Sequence, residues 1–215
     1  KGMEATVHTC GKTYRMGAQG ALGRTQLYAP AMALSLANML HMTAEEALKG
    51  LEGYLPPPGR ARVLSGIRGS VLIDDSYNAS PAAVEEALFG LSLVPGSRRI
   101  VAIGDMLELG RYSMQEHERI GRAVAKHVDM VVAVGERSIA LRDAAVKAGI
   151  VEESALGFAD SREAATALKE LVREGDVVLV KGSQSMRMER VVEALLRDPA
   201  DASLLVRQDK EWKRR

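Results

Sequence analysis

Apolar positions along this chain fall into two rhythms that alternate with each other. Val71-Leu-Ile73, Ile100-Val-Ala-Ile103, Met130-Val-Val-Ala-Val134 and Val177-Val-Leu-Val180 are short aliphatic runs, the signature of strands buried on both faces. Between them, apolar residues recur at helical spacing, as in Ala83, Val84, Ala87, Leu88 and Leu91. That helix is predicted to begin at Pro81 behind Ser80 as N-cap, because the N–H that proline lacks is unpaired at the first helical position anyway. Other helices are predicted behind a capping box at Ser113-Met-Gln-Glu116, before a stop at Gly149, from Asp160, and from near Met186 to just before Asp198-Pro199. A weaker strand is expected at Ala155 to Phe158. Apolar strands alternating with amphipathic helices predict an α/β fold, a parallel sheet with helices on both faces and right-handed crossovers.

The first part of the chain follows another pattern. Residues 1 to about 20 alternate loosely between glycines, which predicts a hairpin at a sheet edge. Cys10-Gly11-Lys12-Thr13 falls short of a phosphate loop, because Thr6 stands where the motif requires glycine. From Leu27 to Leu40 the apolar residues are nearly continuous and predict a buried helix, with Pro30 tolerated near its start. Thr43-Ala-Glu-Glu46 is a capping-box start for a second helix ending near Leu51. Pro56-Pro-Pro-Gly-Arg60 has the composition of a hinge, and Val63 to Ser65 is expected to pair with Val71 to Ile73 as a hairpin. These features divide the chain into residues 1–58, 59–199 and a loosely packed tail, 200–215.

Composition narrows the field of functions. With 215 residues, 47% hydrophobic and 27% charged, the chain can bury a sizeable core, and its net charge of +1 gives no reason to expect nucleic acid or an anionic membrane as partner. The single cysteine, Cys10, excludes an internal disulfide and a multi-cysteine metal cluster. No apolar stretch approaches the ~20 residues that span a bilayer, and the first residues lack a signal-peptide pattern, so the expected location is cytoplasmic.

Candidate chemistry gathers where the predicted strands end. Asp74 and Asp75, Asp105 with Glu108, Glu136, and Lys181 with Ser183 all follow strands, on the rim where open α/β sheets bind ligands. Asp75 is suited to accept hydrogen bonds from ribose hydroxyls, with Tyr77 and Asn78 on the rest of a nucleotide; the competing reading is an ordinary capped loop. Lys181, a cation ending an apolar strand, calls for an anion, either a ligand carboxylate or phosphate, or Asp105 or Glu108 across the rim. Arg60 beside the hinge is either near a ligand or simply solvated. His117, inside a helix, is expected to be a packed or exposed side chain rather than a catalyst. No metal-ligand cluster and no Ser/His/Asp order stands out, so no residue is singled out as catalytic.

Three strings carry a family resemblance. Asp74-Asp-Ser-Tyr-Asn-Ala-Ser-Pro81, Gly104-Asp-Met-Leu-Glu-Leu-Gly110 with His117 beyond it, and Lys181-Gly-Ser-Gln-Ser-Met-Arg-Met-Glu189 are, in that order, similar to motifs of the Mur ligases that add D-alanyl-D-alanine to UDP-N-acetylmuramoyl-tripeptide. The resemblance runs from roughly Gly20 to Leu196. It implies that residues 59–199 form a Rossmann-like Mur ligase C-terminal domain, preceded in 1–58 by the C-terminal part of a central ATP-binding domain. It further implies ATP-dependent amide-bond formation in peptidoglycan precursor synthesis: ATP phosphorylates the tripeptide's carboxylate, and the amine of D-alanyl-D-alanine attacks the acyl phosphate. ATP and Mg²⁺ are the implied cofactors, with the ion held mostly outside these residues, and the implied enzyme is a cytoplasmic monomer.

By the same resemblance Arg60, Asp75, Tyr77 and Asn78 face the nucleotide. Lys181 and Ser183 hold the carboxylate of D-alanyl-D-alanine, with either Arg187 substituting for the family's usual Arg or a weaker carboxylate recognition, and Asp105, Glu108 and His117 are candidates for the rest of the rim. Departures from the pattern are Thr25 for His, Ala29 for an adenine-contacting Asn, and Gln184 for the Arg that usually follows the Ser. Lacking a phosphate loop, the 215 residues are expected not to turn over by themselves. The rival readings are a ligase like the folylpolyglutamate synthases and a non-catalytic α/β binding module.

Overall fold

A computed structural model describes residues 2–9 and 11–213, with the side chain of Lys213 left aside; Lys1, Cys10 and the last two residues lie outside the described set. Two antiparallel strands, β1 (Gly2–Thr9) and β2 (Lys12–Gln19), pair as expected, but as a two-stranded sheet of their own rather than at the edge of a larger one. Helices α1 (Tyr28–Met39) and α2 (Ala44–Leu51) follow, and α2 begins with the predicted capping box, Thr43 and Glu46 each bonding the other's backbone N–H.

The α1 helix is where the sequence expected it, but it is not buried. Only Pro30, Leu34 and Ala37 are covered, whereas Tyr28 and Met39 are 65% and 74% exposed and Met32, Leu36 and Leu40 also face outward. A continuous apolar run specifies a helix that wants cover on all sides; what covers it is not written in the run itself.

The second, larger layer is a six-stranded sheet in the order β3-β4-β8-β5-β6-β7. Its strands are β3 (Arg62–Ser65), β4 (Val71–Asp75), β5 (Arg98–Gly104), β6 (Met130–Val134), β7 (Ala155–Phe158) and β8 (Asp176–Lys181). The edge strand β3 pairs antiparallel with β4, as the hairpin reading required, and all other pairs are parallel. Helices α3 (Pro81–Ser92), α4 (Ser113–Val124) and α5 (Ser138–Lys147) cover one face, with Ile73, Val101, Ile103, Val131 and Leu179 beneath them. Helices α6 (Ser161–Leu171) and α7 (Glu189–Leu195) cover the other, over Leu72, Ile100, Ala102, Val132, Val178 and Val180. Alternate residues of each strand therefore enter opposite cores, each buried aliphatic side chain contributing roughly 1.5–3 kcal/mol.

Three local expectations change. The capping box at Ser113 does not form: a 3-10 turn at 110–112 runs into α4, Tyr112 is the N-cap, and the Ser113 hydroxyl is buried without a partner. The last helix of the sheet layer starts at Glu189 rather than near Met186, because Arg187 adopts a left-handed conformation (φ 54°) after a 3-10 turn at 184–186. The tail is not loose. Residues 199–204 form a 3-10 helix, Leu205 is buried, and α8 (Lys210–Lys213) lies beyond Arg207, which is itself buried.

Candidate ligand-binding rim

Register decides what meets at the carboxyl ends of the strands. Asp75 lies opposite Lys181 in the β4–β8 ladder, and both fall in step with Ile73 and Leu179, so both project toward the α3 face. Lys181 Nζ donates to Asp75 Oδ2 at 2.6 Å and to the Asn78 carbonyl at 2.9 Å. With Lys181 2% and Asp75 9% exposed, this is a buried ion pair. The second Asp75 oxygen, Oδ1, accepts from the Ala61 N–H at 3.1 Å. Burial pushes the Asp75 carboxyl above the ordinary value, opposed by the charge and hydrogen bond of Lys181 and by the Ala61 amide. The anion that Lys181 required is thus Asp75, and neither Asp105 nor Glu108 supplies it.

Asp74, one residue earlier, points to the opposite face and is fully buried. Its Oδ1 accepts from the Ser76 N–H at 3.2 Å and the Ser76 hydroxyl at 2.5 Å, while Oδ2 has no hydrogen-bond partner. Burial raises its pKa, with the two Ser76 bonds acting the other way. The turn that follows is held from outside. Tyr77 donates its N–H to the Gly59 carbonyl at 3.1 Å, and Gly59 suits the position because its φ of 69° strains other residues and a Cβ there would sit only 3.0 Å from the Tyr77 nitrogen. Arg60 stacks on the Tyr77 ring at 4.2 Å, so it is neither free nor merely solvated.

The second and third strings converge on the same rim. Ser183 Oγ accepts the Leu107 N–H at 2.8 Å, and the Ser183 N–H donates to the Asp105 carbonyl at 3.1 Å. Asp105 Oδ1 accepts the Ser138 N–H at 2.8 Å, tying β5 to the start of α5. His117 is fully buried: Nδ1 donates to the Ser113 carbonyl at 2.7 Å and Nε2 accepts the Met106 N–H at 3.0 Å. Those partners fix the tautomer with the proton on Nδ1 and make His117 a brace for the 105–108 turn, in keeping with the packed reading. Glu108 and Glu136 remain exposed, Glu108 in a left-handed conformation (φ 65°).

Two clefts flank the 76–80 turn. One, of about 480 Å³, is bounded by Thr25, Gln26, Arg60, Asp75, Glu86 and Lys181 among others. The other, of about 520 Å³, is lined by Asn78, Leu107, Glu108, Ser183, Gln184, Ser185, Arg187, Arg190 and Trp212. The structure therefore brings Arg60, Asp75, Tyr77, Asn78, Lys181, Ser183, Arg187 and Glu108 to one rim, with Asp105 and His117 just beneath it as supports.

Sequence reasoning missed the part the tail contributes. Arg207 Nη1 donates to Glu189 Oε2 at 2.9 Å and to the Ser76 carbonyl at 3.3 Å, and Nη2 donates to the Tyr77 carbonyl at 2.8 Å. Glu189, also buried, accepts Arg187 Nε at 2.6 Å through its other oxygen, and Arg187 Nη1 donates to the Trp212 carbonyl at 2.9 Å. Glu189 thus pairs with two guanidinium groups at once and fastens the tail to the rim. The one signal available was an acidic residue among arginines, followed by the chain's single tryptophan.

Among the described residues no group of three His, Cys, Asp or Glu side chains converges to hold a metal ion, and no helix is long and apolar enough to cross a membrane. Residues 59–184 match the family described as Mur ligase, glutamate ligase domain. The UDP-N-acetylmuramoyl-tripeptide–D-alanyl-D-alanine ligase of Escherichia coli is 36% identical over 176 residues, 80% of this chain and 37% of that protein. The solved MurF ligase of Thermotoga maritima in complex with ADP superposes with a TM-score of 0.75 at 27% identity, covering 89% of this chain and 42% of that one. A folylpolyglutamate synthase of Mycobacterium tuberculosis complexed with ADP shares the fold, with TM-score 0.59 and 17% identity. The chain spans less than half the length of each of these proteins, and it belongs to the Mur ligase family, whose glutamate ligase domain it carries.

Proposed function

We propose that this chain is part of an ATP-dependent amide ligase of peptidoglycan precursor synthesis, joining D-alanyl-D-alanine to UDP-N-acetylmuramoyl-tripeptide in the cytoplasm. The observation that carries the reading is the buried Asp75–Lys181 pair, which holds the 76–80 turn between two clefts, one for each ligand. The names of the relatives over 80% of the chain supply the substrates. In this reading the Arg60 and Asp75 cleft faces the nucleotide, with Tyr77 and Asn78 at its lip, and the Ser183 cleft receives the dipeptide.

The reaction needs an acyl phosphate formed on the tripeptide. The dipeptide amine attacks its acyl carbon, phosphate leaves with the bonding pair, and the amine loses a proton. The residues of this chain orient and do not bond covalently. Lys181 is consumed by Asp75 and Asn78, so it acts as a clamp on the turn, and the Ser183 hydroxyl, which already accepts from Leu107, has its own proton left for a ligand. Among the described residues no group of three His, Cys, Asp or Glu side chains converges on a metal ion; the Mg²⁺ of this reading would, when bound, neutralise charge on the phosphates.

Residues 1–58 act, in the same proposal, as the C-terminal part of the ATP-binding domain. The outward apolar face of α1 supports this, since a face of that kind requires a covering layer. Calorimetric titration tests the reading. Binding of D-alanyl-D-alanine in preference to L-glutamate is expected, with no dipeptide-dependent ATP hydrolysis by the 215 residues. The reverse preference would move the chain to the folylpolyglutamate synthase side, and binding of neither would make it a non-catalytic module.

A further inference from the structure

The cleft beside Ser183 contains two arginines with different obligations. Arg187 is nearly buried and held through two of its three nitrogens: Nε is given to Glu189, Nη1 to the Trp212 carbonyl, and its face to the Trp212 ring 5.2 Å away. Arg190 lies three residues on, half-buried and lining the same cleft, and among the described residues its guanidinium makes no ion pair or hydrogen bond. Burial, then the charges of Arg187 and Arg162, push Arg190 below the usual arginine value, with Glu189 and Asp160 pulling the other way. Crowded cations of this kind are relieved by a bound anion. A guanidinium fork matches a carboxylate better than it matches a point charge. Gln184, on the same wall, carries no charge, and Glu108 offers a negative group elsewhere in the lining.

We propose that Arg190, not Arg187, takes the carboxylate of the incoming dipeptide in this cleft. Glu108 faces its ammonium, and Trp212 is the apolar wall that limits the terminal side chain. The assignment rests on the substrate reading above and goes further by naming the binding residues. It replaces Lys181 and Arg187 as carboxylate ligands, because Lys181 is paired with Asp75 and Arg187 is held by Glu189 and the Trp212 carbonyl.

Trp212 is the only tryptophan in the chain, so its fluorescence reports on this cleft directly. Titration with D-alanyl-D-alanine is expected to change the emission, and the C-terminal amide of the dipeptide is expected to bind about tenfold or more weakly for want of the charge-assisted pair. Arg190→Ala should lose about the same factor with an unchanged urea midpoint, and Gln184→Arg in that background should restore most of it. Equal binding by Arg190→Ala and the parent, or equal binding of acid and amide, would overturn the proposal. L-glutamate binding as tightly as the dipeptide, with both lost in Arg190→Ala, would overturn the substrate reading while upholding Arg190 as a carboxylate ligand. A parent chain that binds no carboxylate, by fluorescence or by calorimetry, would overturn both.

Discussion

Replacing Lys181 by methionine removes the cation and keeps the length and apolar stem of the side chain. The carboxylate of Asp75, 9% exposed, is then left with the Ala61 N–H as its one remaining donor. Breaking a buried pair from one side costs about 3–5 kcal/mol, because the surviving charge is uncompensated. That is a large part of the ~5–15 kcal/mol that a domain has in all. Asp75→Asn should cost less, since the amide oxygen still accepts from Lys181 and the Asn78 carbonyl remains within its reach. The double variant should fall short of the sum of the two singles by roughly 2 kcal/mol, as expected for residues in direct contact.

The cost of Lys181→Met should also depend on pH. Burial already raises Asp75, and losing Lys181 removes the two largest opposing influences. A carboxyl raised in the folded state gives stability that is present below the unfolded value and lost as pH rises through the folded one. The deficit of Lys181→Met should therefore be small below the ordinary carboxylate value and grow as pH rises above it. Urea unfolding followed by far-UV circular dichroism, on parent, both singles and the double, measures all of this. Additivity within about 0.5 kcal/mol, or a deficit independent of pH, would refute the idea that these two side chains hold the turn as a pair.

Other outcomes follow from the same geometry. Asp74 is raised by burial, so the stability of the parent relative to Asp74→Asn should fall as pH rises above the ordinary carboxylate range; parallel unfolding curves at all pH values would contradict this. Glu86 is lowered, mainly by its hydrogen bond from Arg24, so the stability it contributes should be present above the ordinary carboxylate value and lost as pH falls through the folded one. Because Arg24 is largely exposed, Glu86→Gln should cost only about 0.5 kcal/mol at neutral pH by thermal unfolding. His117→Ala leaves the Met106 N–H without an acceptor and should cost about 1–3 kcal/mol in urea, with a larger loss than His117→Gln. Arg207→Ala should free the tail, raising acrylamide quenching of Trp212 while the sheet's circular dichroism is kept; quenching like the parent's would contradict the fastening role of Glu189 and Arg207.

The sheet was legible because its strands are unbroken aliphatic runs that only a two-faced parallel sheet can bury, and the Ser80-Pro81 start of α3 because local capping chemistry suffices to set it. Which strand ends meet was not legible. Lys181 reaches Asp75 only because β8 is inserted between β4 and β5, a consequence of the β7–α6–β8 return that no local pattern encodes. Sequence spacing accordingly offered Asp105 and Glu108 as equal candidates. The tail escaped notice for another reason: Arg207 binds mainly backbone carbonyls, and acceptors of that kind leave no trace in residue identity. At Ser113 a correct capping pattern lost to a preceding 3-10 turn, with His117 using the Ser113 carbonyl instead.

The central claim, a dipeptide site at the carboxyl ends of β4, β5 and β8, is tested most directly by amide chemical shifts of the isotope-labelled chain during titration with D-alanyl-D-alanine. Asn78, Leu107, Ser183, Ser185 and the Trp212 indole should move together and saturate with one constant. Shifts confined to the cleft at the other end of the sheet, around Arg68, Glu170 and Arg197, would contradict it.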